Sequence, residues 1–213
     1  MESLQIHGHI VTEDAVLRHQ ALTIRDGKIH SIAPLDGSNR PENIPYILPG
    51  FRDQHVHDLA GQEQARFQTP EALVESFRAA TQAFGRHGVT RVWIATFGDT
   101  LETLSRYGQG ARLWMDHPDN GRTGAKLEGL HIEGTFLNED CRGAQPAEHI
   151  LIPTRDDCQA ALNLLRSTGS VRIVNIVPDY GEESLRIIRL ARGLGWTVGA
   201  GHLNPPAGLL RRA

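Results

Sequence analysis

The chain has 213 residues, 39% of them apolar and 22% charged, and 22 Lys+Arg against 25 Asp+Glu leave a net charge of −3. That is enough chain for a full globular core, and it offers no basic footprint for nucleic acid. Cys141 and Cys158 form neither a disulfide framework nor a Cys-x-x-Cys pair. With no leader pattern at Met1 and no apolar run near 20 residues, the expected address is the cytoplasm, with both thiols reduced and no membrane partner.

Residues 2–11 and 15–33 read as short strands. Asp26-Gly27, between Ala21 to Arg25 and Lys28 to Ile32, is a hairpin signal because both turn positions tolerate positive φ. This defines a small β domain over residues 1–48, read as part of a β-sandwich, with a loop from Asp36 to Pro41. His7, His9, His19 and His30 fall in it without a partner pattern and are read as surface or packing residues.

From residue 49 the texture becomes strand, loop, helix, repeated. Thr69 is placed to cap a helix with Pro70 in its first turn, and Leu73, Phe77, Ala80 and Phe84 recur at helical spacing until Gly85 and Gly88. A buried strand, Val89 to Phe97, leads to a second helix capped by Thr100 and carrying Leu104, Ala111 and Trp114. Lys126 to Glu133 is the third strand, and Thr154 is placed to cap the helix after the long loop 134–153. Val171 to Val177, a helix opened by Glu182 and Glu183, and a strand from Trp196 to Gly201 complete the pattern. The fold class expected is α/β, a partial TIM-type (β/α) barrel over residues 49–213, about five of eight βα units. Trp93, Phe97, Trp114 and Trp196 read as core or interface packing.

The polar residues that stand out lie where such barrels keep their chemistry, at the C-terminal ends of strands. His55 and His57 share a strand face with Asp53, because side chains alternate with period two. Two imidazoles from one strand can hold one divalent ion, and Asp53 is placed to orient a ring. In a chain with eleven histidines His-x-His alone can be chance. Glu133 closes the third strand and His202 follows the fifth, so the four together form a His/His/Glu/His set suited to zinc, with Gly199 and Gly201 leaving room beside His202.

Three stretches carry a resemblance: Pro49 to His57 (Pro-Gly-Phe-x-Asp-x-His-x-His), Gly129 to Leu137 (Gly-Leu-His-Ile-Glu-Gly-Thr-Phe-Leu) and Ala200 to Asn204 (Ala-Gly-His-x-Asn). In order and spacing they resemble the amidohydrolase superfamily and, within it, the N-acetylglucosamine-6-phosphate deacetylases. The resemblance implies metal ligation by Glu133 and His202, with His55 and His57 holding a second ion, so one or two divalent ions as cofactor. It implies that Glu133 bridges where other amidohydrolases use a carboxylated lysine. Neither Lys28 nor Lys126 is placed for that role, which argues against a dihydroorotase or hydantoinase. His131, Ala144 and Gln145 are the implied contacts to a small amino sugar phosphate, and a homodimer is the implied full-length assembly.

The departures are Thr135 in place of a proline, Gln145 in place of a substrate-contacting histidine, and Val177-Pro178-Asp179 in place of Ala-Pro-Glu. The family's general acid–base aspartate is expected beyond Ala213, so no catalytic residue is assigned and the chain reads as truncated after the fifth barrel strand. The expected function is removal of an N-acetyl group from N-acetylglucosamine-6-phosphate, yielding glucosamine-6-phosphate and acetate, with little activity in these 213 residues. The alternatives are a non-catalytic, metal-binding or associating barrel remnant, and an amidohydrolase for another N-acyl compound.

Overall fold

The structure is a computed structural model and describes residues 3–36, 43–57, 69–154 and 156–213. It divides into two compact units, Met1–Gly50 and Phe51–Ala213. The first is a four-stranded sheet of β1 (Ser3–Val11), β2 (Val16–Arg25), β3 (Lys28–Pro34) and β4 (Tyr46–Ile47), in the order β3-β2-β1-β4. Asp26 and Gly27 have φ of 49° and 73°, and Arg25 pairs Lys28 across them, so the expected hairpin turn forms. The β1 to β2 ladder runs antiparallel until a bulge between Gly8 and Ile10. There the His19 backbone N–H donates to the His9 ring at 3.1 Å, and the two rings meet edge-on at 4.7 Å. His9 is therefore a buried packing histidine.

The second unit alternates β5 (Phe51–Val56), α1 (Pro70–Arg86), β6 (Val89–Thr96), α2 (Leu101–Met115), β7 (Lys126–Phe136), α3 (Asp156–Ser167), β8 (Val171–Ile176), α4 (Glu182–Gly193) and β9 (Thr197–Gly199), with a short α5 (Ala207–Leu210) after it. All five strands are parallel and lie in chain order, β5-β6-β7-β8-β9. A sheet that always adds its next strand on the same side is wound like a barrel, so this is half of a (β/α) barrel.

The helices begin where the side chains dictate. Thr69 accepts the Ala72 N–H at 3.3 Å, and Thr100 accepts the Thr103 N–H at 3.2 Å. Each supplies an acceptor to a first-turn N–H that has no partner inside the helix. Position 155, just before α3, is outside the described residues, as are 58–68 between β5 and α1. Leu73 and Phe77 of α1, Trp114 of α2, Leu165 of α3 and Ile187 of α4 are fully buried against Ile94, Leu130, Ile132 and Val174 of the sheet.

Three elements differ from expectation. β7 runs on to Phe136 because Thr135 and Phe136 stay extended and buried. β9 is shorter than expected, because the backbone leaves the ladder after Gly199 and turns into a left-handed conformation at His202, φ 58°. α5 occupies Ala207 to Leu210, where no element was expected. Among the described residues no helix is long and apolar enough to cross a membrane.

Candidate metal centre

The buried Glu133 carboxylate organises the C-terminal end of the parallel sheet. His55 Nε2 lies 3.2 Å from its Oε1 and His57 Nε2 2.9 Å from its Oε2. His202 Nε2 lies 3.3 Å from Oε1. His55 and His57 approach each other at 3.0 Å through their Nε2 atoms. The donor atoms of His55, His57 and Glu133 all lie within 4.8 Å of one another, and His202 joins through the carboxylate. β5, β7 and the turn after β9 thus bring together all four residues expected to hold metal.

This donor set fits a divalent ion. Ligands sharing one tetrahedral zinc at about 2.0–2.1 Å stand about 3.3 Å apart, close to the 2.9–3.2 Å separations of His57 and His55 from Glu133 and the 3.0 Å between the two rings, while His202, 3.3 Å from Glu133, lies outside that group of three. The chemistry of His202 is more telling. Its Nδ1 lies 3.0 Å from the Cys141 carbonyl oxygen, which can only accept, so Nδ1 carries the proton. Nε2 then turns a lone pair toward a carboxylate oxygen, a repulsive contact unless a proton or a metal ion lies between them. Among the described residues the ion-pair partners of Glu133 are all histidines. A buried carboxylate without a fixed cation is costly, and a bound ion would remove that cost.

Burial holds the His57 imidazole below its usual range, outweighing the attraction of Glu133, and the charges of His55 and His131 push the same way. The neutral ring is the form that binds metal. Its outer face stacks on Phe97, centroids 4.4 Å apart. Phe97 was expected in core or interface packing, yet it is 48% exposed and lies against His57. A large aromatic at a strand's C-terminal end was the available signal.

The remaining expected residues take different roles. Asp53 accepts the backbone N–H of His55 at 3.1 Å and so bonds the chain of β5; the expected bond to an imidazole is not the one it makes. Gln145 was expected to reach substrate, but its Nε2 donates to Glu133 Oε2 and its Oε1 accepts the Gly98 N–H, both at 2.8 Å. His131 is also expected at substrate, but it is buried and both ring nitrogens are engaged, Nε2 with Asn175 Oδ1 at 3.0 Å and Nδ1 with the Gln54 carbonyl at 3.3 Å. Ala144 is exposed on the loop whose Gly143 approaches the His202 ring.

Sequence reasoning missed Asn175, the partner of His131. A Cβ at Gly199 would stand 2.2 Å from Asn175 Oδ1, so that glycine makes room for Asn175, beside the space expected for a ligand. It also missed how Asp179 joins three loops. One Asp179 oxygen accepts from Asn138 Nδ2 at 2.6 Å and from the Asn204 backbone at 2.7 Å, while the Asn138 N–H donates to the His202 carbonyl at 3.3 Å. Lys126, paired with Glu128 at 3.4 Å, lies at the start of β7, at the opposite end from Glu133.

A half-barrel carrying His-x-His on its first strand and a glutamate on its third has the fold of the amidohydrolases. Within that class the chain is similar to N-acetylglucosamine-6-phosphate deacetylases. It is 26% identical to that enzyme of Bacillus subtilis over 211 residues, 96% of this chain and 51% of the relative. It is 37% identical to the Bos taurus enzyme over 156 residues, 73% of this chain and 36% of the relative. The crystal structure of the Mycobacterium smegmatis enzyme superposes with a TM-score of 0.76 at 20% identity, over 98% of this chain and 52% of that one. The chain therefore spans about half the length, or less, of the curated relatives it matches. No family model matches it.

Proposed function

We propose that the chain carries the metal-binding half of a deacetylase acting on an N-acetylated amino sugar phosphate, N-acetylglucosamine-6-phosphate being the substrate that its relatives' name points to. The observation that supports this best is the convergence of three imidazole Nε2 atoms on the buried Glu133 carboxylate. His55, His57, Glu133 and His202 would hold the ion, and the mixed nitrogen and oxygen donors suit zinc. A divalent ion held there supplies Lewis-acid activation of the amide carbonyl and of water.

The chain's own residues do the rest of the positioning. The Cys141 carbonyl holds His202 in the Nδ1–H tautomer, leaving Nε2 as the donor. Phe97 covers one face of His57 and limits water on that side. Glu133 faces all three imidazoles, Oε1 toward His55 and His202 and Oε2 toward His57, and would take the place that the carboxylated lysine has in other amidohydrolases. Among the described residues it is also the one carboxylate of the cluster, and as a ligand it is not free to move the proton from water to the leaving amine. The 213 residues are therefore expected to bind metal with little turnover.

Zinc titration of the metal-free chain, followed by calorimetry and metal analysis, tests this. One to two ions per chain are expected in the wild type, with affinity lowered more than about 100-fold in Glu133→Gln, beyond what loss of a supporting partner causes. Acetate release from N-acetylglucosamine-6-phosphate is expected to stay near background. A wild type that takes up no zinc overturns the metal reading, and rapid acetate release overturns the expectation of low turnover.

A further inference from the structure

Gln145 joins the metal-centre carboxylate to the loop after β6, and its amide orientation follows from chemistry. The Gly98 backbone N–H can only donate, so the side-chain atom 2.8 Å from it is the carbonyl Oε1. The NH₂ group is then the atom facing Glu133 Oε2 at 2.8 Å, and a carboxylate accepts that bond. Both side chains are buried, Gln145 at 2% exposure and Glu133 at 6%, so water does not readily replace either bond. The backbone is shaped for the contact. A Cβ on Gly134 would stand 2.1 Å from the Gly98 nitrogen and 2.3 Å from Gln145 Oε1, so β7 carries glycine there.

We propose that Gln145 is a positioning residue for Glu133: anchored by Gly98, its amide fixes the rotation of the carboxylate, directing Oε1 to His55 and His202 and sharing Oε2 between His57 and itself. This rests on the metal reading above and deepens it. A carboxylate free to rotate would present its oxygens to the three imidazoles in changing combinations. One pinned at Oε2 keeps a single arrangement and loses less entropy when an ion binds. The amide also spends its polar atoms on protein, so position 145 tunes the carboxylate and leaves sugar recognition to other groups.

The test uses the full chain with zinc and cobalt(II) as probes. Gln145→Met keeps the side-chain length and removes both hydrogen bonds. Zinc affinity is expected to fall about 10- to 100-fold, the usual effect of losing a ligand's supporting partner. The visible spectrum of the cobalt(II) form should change, which a merely structural loss with the ligand geometry intact would not produce. In the metal-free protein the Gly98 amide should exchange faster in the variant. If Gln145→Met does not fold, wild-type NMR decides: the Gln145 side-chain amide protons should be protected from exchange and should shift on zinc addition. Zinc affinity within twofold of wild type together with an unchanged cobalt spectrum overturns the proposal while leaving the metal reading intact. So do fast-exchanging Gln145 amide protons that zinc does not shift. A wild type that binds no zinc instead overturns the metal reading, and this proposal with it.

Discussion

His9 shows how one ring can answer for a break in a sheet. The bulge, whose extra residue lies in β2, takes the His19 N–H out of the ladder, and the His9 Nδ1 lone pair receives it. A proton on Nδ1 would remove that acceptor. Burial, then the neighbouring His19 and Arg18 charges, lower the His9 pKa from its ordinary 6.5. Because the folded value lies below the unfolded one, the neutral ring contributes stability above about pH 6.5 that is lost as pH falls through the folded value. The His9 Hε1 resonance should titrate with a midpoint below 6.5, and exchange protection of the His19 amide should fall with it. A midpoint at or above 6.5 would refute this. At the same scale the four candidate ligands could be picked out from the sequence, since His55, His57 and His202 lie at or just past the ends of strands and Glu133 lies in the C-terminal part of β7. The partners of those residues were not. Gln145 and Asn175 carry amides that could face substrate, protein or solvent, and only the positions of Gly98 and His131 determine which.

Among elements, the contact between α1 and α2 depends on glycine. A Cβ on Gly110 would stand 2.6 Å from Leu73 Cβ and 3.0 Å from the Pro70 carbonyl, so the helices approach as closely as a bare Cα permits. Gly110→Ala tests which effect wins. Alanine gains about 1 kcal/mol of helix propensity, while overpacking a fixed interface costs about 1–3 kcal/mol. Leu73 is fully buried and Pro70 is backbone-rigid, so neither yields cheaply. A net loss of about 1 kcal/mol is expected, lowering the thermal midpoint by about 2–4 °C in a domain of this size. A midpoint at or above that of wild type would show that the helices can separate without cost. The boundaries of α1 and α2 were legible because Thr69 and Thr100 cap them through bonds within the same stretch of chain. The end of β9 was not, because it depends on the left-handed turn at His202, held by contacts to Cys141 and Asn138 some sixty residues earlier.

For the second unit as a whole, the question is how its sheet ends. Among the described residues β5 and β9 each pair on one side only, leaving rows of backbone N–H and C=O groups to which another strand can add. Beside β9 lies a groove of about 440 Å³ lined by Ile176, Ile188, Trp196, Val198 and Leu210, with Leu210 47% exposed. No proline lies in Thr197 to Gly199 to block a ladder, and β9 itself carries no charge. The expected occupant is a second copy of the chain, because a strand edge that meets itself about a twofold axis satisfies both rows at once. Light scattering behind size exclusion should show the apparent mass of the 213-residue chain rising toward twice the monomer value with concentration. Thr197→Lys, which sets a charge on the exposed residue of β9, should hold it at the monomer value while leaving zinc uptake by the His55, His57 and Glu133 cluster unchanged. A wild type that stays monomeric at every concentration would mean that this edge needs no strand partner, and β9 would then have to be short enough for water to satisfy it.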